Sequence, residues 1–186
     1  MFGGRAGGGP ARVRRERRYL LPSLPRTLAQ GSAALVEERY LAGTGLSLRR
    51  TMTPVDATGG LGPLLTLGQR VRTGSDRSEL ITLTDGLSIE EYAALVRLPA
   101  DLLVWRRYEV RLSGRRCSAD VFAGELDGLV LAEAAFSSPS EAAAFPQPIY
   151  AVAEVTGDER FSGEALARTS GRSLAGLVAE YGMLLR

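Results

Sequence analysis

Short runs in which apolar and polar residues alternate recur along most of the chain. Alternation with a period of two predicts half-buried β-strands, because successive side chains of a strand point to opposite faces of the sheet. The runs predict eight or nine antiparallel strands, at residues 13–21, 35–41, 45–50, 64–73, 79–84, 103–112, 117–126, 129–136 and 150–156. So many strands favour a barrel over an open sheet, since closure removes exposed edges.

Helix signals are fewer than strand signals. Ser88 and Ser138 each begin a pattern that is typical of a capped helix N-terminus. The predicted helices lie at about 88–98, 138–145, 162–168 and 173–185. The predicted fold class is therefore α+β and dominated by β, with a few helices flanking a closed antiparallel barrel.

Three acidic residues, Asp120, Glu133 and Glu154, interrupt strand-like apolar runs. A carboxylate in such a run is costly unless a cation meets it, so these acids indicate a binding cavity rather than a plain core. Alternation also places Glu16 and Arg18 on one face of the first strand. The alternative is that these faces are the solvated side of a half-buried sheet. Glu133 fits that alternative least, because its strand neighbours are almost all apolar.

Length and composition indicate how many domains the chain forms, and they give its net charge. The chain has 186 residues, of which 45% are hydrophobic, and a net charge of only +2. This is enough apolar material for one domain with a core of its own. Residues 1–11 are Gly-rich and lack periodicity, so we expect a disordered tail there and a single domain at 12–186.

The residue types that are missing narrow the chemistry. All 23 basic residues are Arg, and the chain contains neither His nor Lys. Histidine-based triads, Schiff bases and His-ligated zinc are therefore excluded, and the single Cys117 excludes a cysteine-rich metal site. Arg and carboxylates remain. That set suits phosphate chemistry with a hard divalent metal such as Mg²⁺.

The same features bear on location and partners. A single cysteine fits a reducing compartment, and no apolar run approaches the roughly 20 residues of a membrane span, so we expect a cytoplasmic protein without a membrane segment. The basic segment at 12–18 has only Tyr19 beside it as an aromatic platform, which argues against nucleic acid as a partner. The expected partner is a small phosphate ligand. The sequence leaves the oligomeric state open.

Several segments of the chain form a recognisable set of motifs. They read RRERRYL at 14–20, ERYL at 38–41, LR at 48–49, RY at 107–108, DVFAGEL at 120–126, GLVLAE at 128–133 and EVTGDERF at 154–161. Together they resemble the CYTH family, also called the triphosphate tunnel metalloenzymes, over roughly residues 13–168. The resemblance implies an eight-stranded antiparallel barrel whose interior is a tunnel that binds a triphosphate and Mg²⁺ or Mn²⁺.

The resemblance also implies roles for individual residues. The expected catalytic residues are Glu16, Glu133 and Glu154, which together with Asp120 are also the expected metal ligands. The expected phosphate-binding residues are Arg18, Arg49, Arg70, Arg107 and Arg160.

The chain departs from the family pattern at six positions. Two carboxylates, one Lys and three further cations of the pattern are replaced. The residues found there are Arg14 and Ala135, then Arg18, and then Ser47, Thr66 and Trp105. Fewer carboxylates mean fewer metal ligands, and fewer cations weaken the stabilisation of a polyphosphate. The substitutions therefore bear on catalysis rather than on the fold.

Three functions remain open at this point. The first is a divergent metal-dependent phosphohydrolase that acts on an inorganic or organic triphosphate. The second is a protein that binds a polyphosphate or nucleotide without turning it over, which the missing metal ligands favour. The third is a tunnel retuned for an organic phosphate or diphosphate with an apolar portion and a different chemistry, which the neutral side chains Ser47, Thr66, Trp105 and Ala135 favour.

Overall fold

The computed structural model describes residues 12–25, 30–54, 62–72 and 79–185, and their side chains except those at 12–14, 30–31, 70–72 and 79–85. The predicted tail at 1–11 lies outside the described residues, and the single-domain organisation stays a prediction. Nine strands occur in this part of the chain. They are β1 (Arg12–Leu21), β2 (Gln30–Leu41), β3 (Leu46–Met52), β4 (Leu64–Arg72), β5 (Glu79–Gly86), β6 (Ala100–Leu112), β7 (Arg115–Phe122), β8 (Val130–Phe136) and β9 (Ala153–Glu154).

The strands form one antiparallel sheet in the order β5-β4-β3-β2-β6-β7-β8-β1-β9. β1 also pairs with β5, through residues 12–15 of the first strand and 79–82 of the second. In the strand order β5 and β1 are the first and the last of the eight long strands, and this short pairing brings them together. The antiparallel, β-dominated fold is confirmed, whereas closure of the sheet into a barrel stays a prediction.

Four α-helices occur within the described ranges. They are α1 (Ile89–Leu95), α2 (Pro139–Ala144), α3 (Gly163–Leu166) and α4 (Gly171–Ala179). Both predicted caps are present: Ser88 and Glu91 form a capping box at α1, and the Ser138 side chain accepts a hydrogen bond from a backbone N–H of α2. No helix in these ranges has the length and apolar character needed to cross a membrane.

Several predicted elements are shorter than expected, three of them for reasons or with consequences that the structure shows. The strand predicted at 150–156 contributes only two residues to the sheet, and Val152 and Val155 donate single backbone hydrogen bonds to β1 on either side of it. The strand predicted at 117–126 ends at Phe122, because Gly124 has a φ of +68° and begins a short 3-10 helix. The helix predicted at 173–185 ends at Ala179.

Apolar residues pack on both faces of the sheet. On one face Leu20 and Leu131 join a cluster with Leu174 and Val178, so that α4 covers one end of that face. On the opposite face Tyr19, Val130 and Ala132 join a second cluster that includes residues of α2. Strands buried on both sides lose the clean polar alternation of a surface sheet, as β8 does: six of its seven residues are buried.

Candidate functional site

Arg and carboxylate side chains meet on the face of the sheet that carries Leu20 and Leu131, and we call this the charged face. The meeting follows from strand register, since residues directly opposite each other on antiparallel strands project to the same side. Arg107 lies opposite Asp120, Arg49 lies opposite Glu38, and Arg18 lies opposite Glu133. Each of the three Arg residues is therefore placed beside an acid by the backbone pairing itself.

The Arg107–Asp120 pair is bidentate. Arg107 Nε and Nη2 donate to the two carboxylate oxygens of Asp120, each over 2.7 Å. Burial alone would lower the pKa of the Arg107 guanidinium, but the charge of Asp120 and these hydrogen bonds raise it above the ordinary value. Arg107 is thus a fixed cation, and within the described residues its Nη1 nitrogen has no hydrogen-bond partner.

Glu38 holds the second Arg. It is only 2% exposed, and its two oxygens accept hydrogen bonds from Ser47 Oγ and Arg49 Nη2, each over 2.7 Å. Both guanidiniums also lie near the ring of Trp105: the guanidinium carbon of Arg49 is 5.5 Å, and that of Arg107 5.9 Å, from the centre of the ring. The two cations are therefore oriented by carboxylates and by one aromatic face.

The third Arg contacts two carboxylates. Arg18 Nη2 lies 3.1 Å from Glu16 Oε1 and 3.7 Å from Glu133 Oε2. Its Nη1 donates to the carbonyl oxygen of Phe161 over 2.6 Å. Glu16 shares the charged face because it precedes Arg18 by two residues on β1.

Two adjoining cavities open on the charged face. The larger one, which we call the outer cavity, has a volume of about 180 Å³, and the smaller one, which we call the inner cavity, about 30 Å³. Arg18, Tyr40 and Gly163 line both of them. The inner cavity is also lined by Arg49 and Arg107, so that all three Arg side chains reach it.

The structure brings six of the predicted site residues to these cavities. They are Glu16, Arg18, Arg49, Arg107, Asp120 and Glu133. Their catalytic or ligand-binding roles stay predictions. The side chain of Arg70, a further predicted phosphate-binding residue, lies outside the described residues.

Glu154 does not reach the charged face. It follows Ala153 in β9, and its carboxylate forms an ion pair with Arg17. Arg17 belongs to the opposite face of β1, where it also donates to the carbonyl oxygens of Ala142 and Phe145. Hydrogen bonds from Arg17 hold the pKa of the Glu154 carboxyl below its usual range. The prediction that Glu154 joins Glu16 and Glu133 is therefore not met by this geometry.

Arg160 also lies away from the cavities. It forms ion pairs with Asp158 and Glu180, and the hydroxyl of Tyr181 donates to Asp158 over 2.8 Å. We call these four residues the outer network. They join the turn after β9 to the residues that follow α4, which accounts for Arg160 without a phosphate.

Sequence reasoning missed Glu38 and Tyr40 as site residues. Both line the inner cavity, and they are two residues apart on β2, so that they share its charged face. The signal was available in the ERYL motif at 38–41.

Two of the substituted positions can be placed relative to the charged face. Ala135 lies directly opposite Glu16 in the register, so a Glu there would have supplied another carboxylate at that point. Thr66 lies opposite Arg49. Within the ranges that the structure describes, no group of three or more His, Cys, Asp or Glu side chains could hold a metal ion. The described residues thus do not fit the resident metal that the resemblance implies.

Comparisons with known proteins point to one family. No protein-family model matches the chain. An inorganic triphosphatase from Nitrosomonas europaea is 36% identical over 93 residues, which are 44% of this chain and 62% of that protein. The chain thus matches less than two thirds of that relative's length.

Two crystal structures of a protein called NE1496 share the fold. One describes it as a hypothetical protein, with a TM-score of 0.55, 26% identity and coverage of 84% of this chain and 99% of that one. The other describes it as an inorganic triphosphatase, with a TM-score of 0.54, 25% identity and coverage of 84% and 95%. Taken with the motifs on β1, β7 and β8 and the Arg-lined face that they build, these similarities support the resemblance of the chain to the CYTH family.

Proposed function

We propose that the chain is a phosphohydrolase that binds a triphosphate on its charged face and releases phosphate from it. The observation that carries this proposal is the convergence of Arg18, Arg49 and Arg107 on one cavity. The proposal is supported by the inorganic triphosphatase to which part of the chain is similar. The pairing of β1 with β5 supports the further proposal that the sheet closes around this cavity as a tunnel.

The Arg side chains are suited to a polyphosphate because each is already fixed. A guanidinium has five N–H donors in a rigid fork, and a carboxylate that takes two of them leaves the others for a phosphate oxygen. Asp120 takes the Nε and Nη2 donors of Arg107, so that Nη1 is available to a ligand. An anion therefore meets preorganised donors and does not have to order them.

The size of the cavities favours a compact anion over an organic phosphate. The outer cavity of about 180 Å³ and the inner one of about 30 Å³ are both smaller than the roughly 300–1,000 Å³ of pockets that enclose drug-sized ligands. Trp105 lines the inner cavity, but it is only 4% exposed and packs in the apolar cluster, so it offers little surface to an apolar portion of a ligand. The third of the open functions, a tunnel retuned for an apolar portion, is therefore the least supported.

The proposed reaction requires few chemical steps from the side chains of the charged face. Phosphoryl transfer depends mainly on positioning and on stabilising charge, which the three guanidiniums supply. We assign Glu133, which lines the inner cavity, to accept a proton from the attacking water. The water oxygen then bonds to the terminal phosphorus as the bond to the bridging oxygen breaks, and diphosphate leaves.

A second candidate is a protein that binds triphosphate without turnover. The observation that favours it is Ala135, which lies where a further carboxylate would face Glu16. It retains the Arg-lined cavity and lacks only hydrolysis. Binding and turnover must therefore be measured separately.

The experiment compares two Glu→Gln variants. Phosphate release from inorganic triphosphate is followed for the native protein, Glu133→Gln and Glu154→Gln, with Mg²⁺, with Mn²⁺ and with EDTA. We expect Glu133→Gln to lose about 10²-fold or more in rate, because a general base contributes about 10²–10⁴-fold. Glu154→Gln is the matched control and should keep its activity, since Glu154 pairs with Arg17 away from the cavities.

Calorimetric titration of triphosphate decides between the two candidates. Binding with turnover that Glu133→Gln abolishes supports the hydrolase. Binding without turnover in any metal condition supports the second candidate. Absence of binding contradicts both, as would a loss of turnover in Glu154→Gln that equals the loss in Glu133→Gln.

A further inference from the structure

The guanidinium of Arg18 occupies the space between two carboxylates. Its Nη2 nitrogen lies 3.1 Å from Glu16 Oε1 and 3.7 Å from Glu133 Oε2, while Nη1 is fixed to the Phe161 carbonyl oxygen over 2.6 Å. Three separate segments of the chain thus hold the group in place. Glu16 is 7% exposed and Glu133 8%, so both carboxylates depend on a nearby cation for their charge.

A divalent metal and this guanidinium would compete for one position. A hard cation such as Mg²⁺ needs oxygen ligands at about 2.0–2.1 Å, so it would have to lie close to both carboxylates. A like charge within a few ångströms opposes that placement. A further carboxylate could offset the repulsion, but Ala135 lies opposite Glu16 in the register, and Glu38 and Asp120 on the same face each pair with another Arg.

We infer that Arg18 is a resident cation of the Glu16–Glu133 pair and that it opposes the binding of a divalent metal there. This is a departure from the metal site that the family resemblance implies at the same residues. It also explains the contacts of Arg18 with Glu16 and Glu133, which a side chain that only binds phosphate would not need. The inference does not depend on the proposed hydrolysis, because it concerns the chain before any phosphate arrives.

The test titrates Mn²⁺ alone, without a phosphate ligand, and measures free Mn²⁺ by electron paramagnetic resonance. The proteins are the native chain, Glu133→Gln, Arg18→Gln, and the double variant Arg18→Gln/Glu133→Gln. Arg18→Gln removes the charge but keeps an amide donor for the Phe161 carbonyl oxygen. In the native protein we expect no Mn²⁺ binding that depends on Glu133, so the native chain and Glu133→Gln should bind Mn²⁺ equally. We expect at least a tenfold gain in Mn²⁺ affinity in Arg18→Gln, and loss of that gain in the double variant.

Two outcomes overturn the inference. The first is a Mn²⁺ site in the native protein that Glu133→Gln abolishes. The second is a folded Arg18→Gln, checked by its melting curve, that gains no Mn²⁺ affinity. If Arg18→Gln does not fold, the comparison of the native protein with Glu133→Gln decides alone. Triphosphate hydrolysis is not part of the readout, so failure of the proposed function leaves this result unaffected.

Discussion

The charged face and the outer network are built from the same two kinds of side chain, Arg and carboxylate, but they differ in burial. On the charged face Glu38 is 2% and Asp120 8% exposed. In the outer network the side chains of Arg160 and Glu180 are 51% and 57% exposed. The acids of the charged face are enclosed by the sheet, while in the outer network Arg160 and Glu180 are exposed and only Asp158, at 16%, is largely shielded from water.

Burial decides what each set can do. A buried pair that loses one partner leaves a charge without water or a counterion, which costs about 3–5 kcal/mol. An exposed pair contributes about 0–1 kcal/mol. The Arg side chains of the charged face therefore keep N–H donors inside a cavity, where an anion that enters the cavity can bind them. The outer network only joins two segments of chain to each other.

Arg107→Ala should give the largest effect and tests the buried side of this comparison. It leaves the Asp120 carboxylate buried beside no guanidinium, so we expect the free energy of unfolding to fall by about 3–5 kcal/mol. Urea unfolding measures the change. Replacing both residues, as Arg107→Ala/Asp120→Ala, should recover part of the loss because no charge remains buried.

Arg116→Ala on the same two strands is the matched control. Arg116 pairs with Glu109, and the two side chains are 73% and 63% exposed. We expect little measurable change in its unfolding curve. Equal losses in Arg107→Ala and Arg116→Ala would show that burial does not separate the two kinds of pair.

Gly163→Ala tests how closely the wall of the charged face is packed. A Cβ atom at Gly163 would lie 1.8 Å from Tyr40 Oη and 2.9 Å from Tyr40 Cζ, so the ring must move. Both residues line both cavities. We expect a loss of about 1–3 kcal/mol in unfolding free energy, as for other overpacked sites, and a higher KM for triphosphate.

Gly176→Ala is the control for the general effect of replacing a glycine by alanine, without a steric clash. A Cβ atom at Gly176 in α4 meets nothing within 4 Å, so this substitution should stabilise the protein by about 0.5–1 kcal/mol through helix propensity. Stabilisation of Gly163→Ala by the same amount would contradict the packing described at Tyr40.

Alternation predicted the strands and the charged face well, because both depend only on the period of two. Glu16 and Arg18 were placed together, and Glu133 was placed inside, from spacing and from its apolar neighbours alone. The pairing of each Arg with a particular acid could not be predicted in the same way. It depends on register, which sets Arg107 against Asp120 and is fixed by contacts far apart in the sequence.

The two misplaced residues, Glu154 and Arg160, share a cause. Both lie in the motif at 154–161, where their site roles were implied by the family resemblance and where the predicted strand covered only residues 150–156. The backbone there leaves the sheet after two residues, and a 3-10 helix follows at Glu159–Phe161. Side-chain direction then follows the turn rather than the pleat, so a period of two no longer predicts the face.

Asp158→Asn should give the smallest effect and tests the exposed side of the comparison. Hydrogen bonds from the Arg160 side chain, opposed by burial and aided by the Tyr181 hydroxyl, lower the pKa of Asp158 from 3.8 to about 2. The folded state therefore favours the charged carboxylate. This contribution to stability is present above about pH 4 and is lost as the pH falls through 4 towards 2.

Because the network is exposed, we expect Asp158→Asn to lower the free energy of unfolding by only about 1 kcal/mol at pH 7. Asn still accepts the backbone hydrogen bond of Arg160, so the substitution keeps this cap while it removes the charge and the hydrogen bonds that Oδ2 accepts from Arg160 and Tyr181. The measurement is urea unfolding of both proteins at pH 7, 4 and 2.5, where the difference between them should shrink as the pH falls. A difference that is constant over this range would mean that the charge of Asp158 does not contribute, and a loss of triphosphate binding would tie the outer network to the charged face after all.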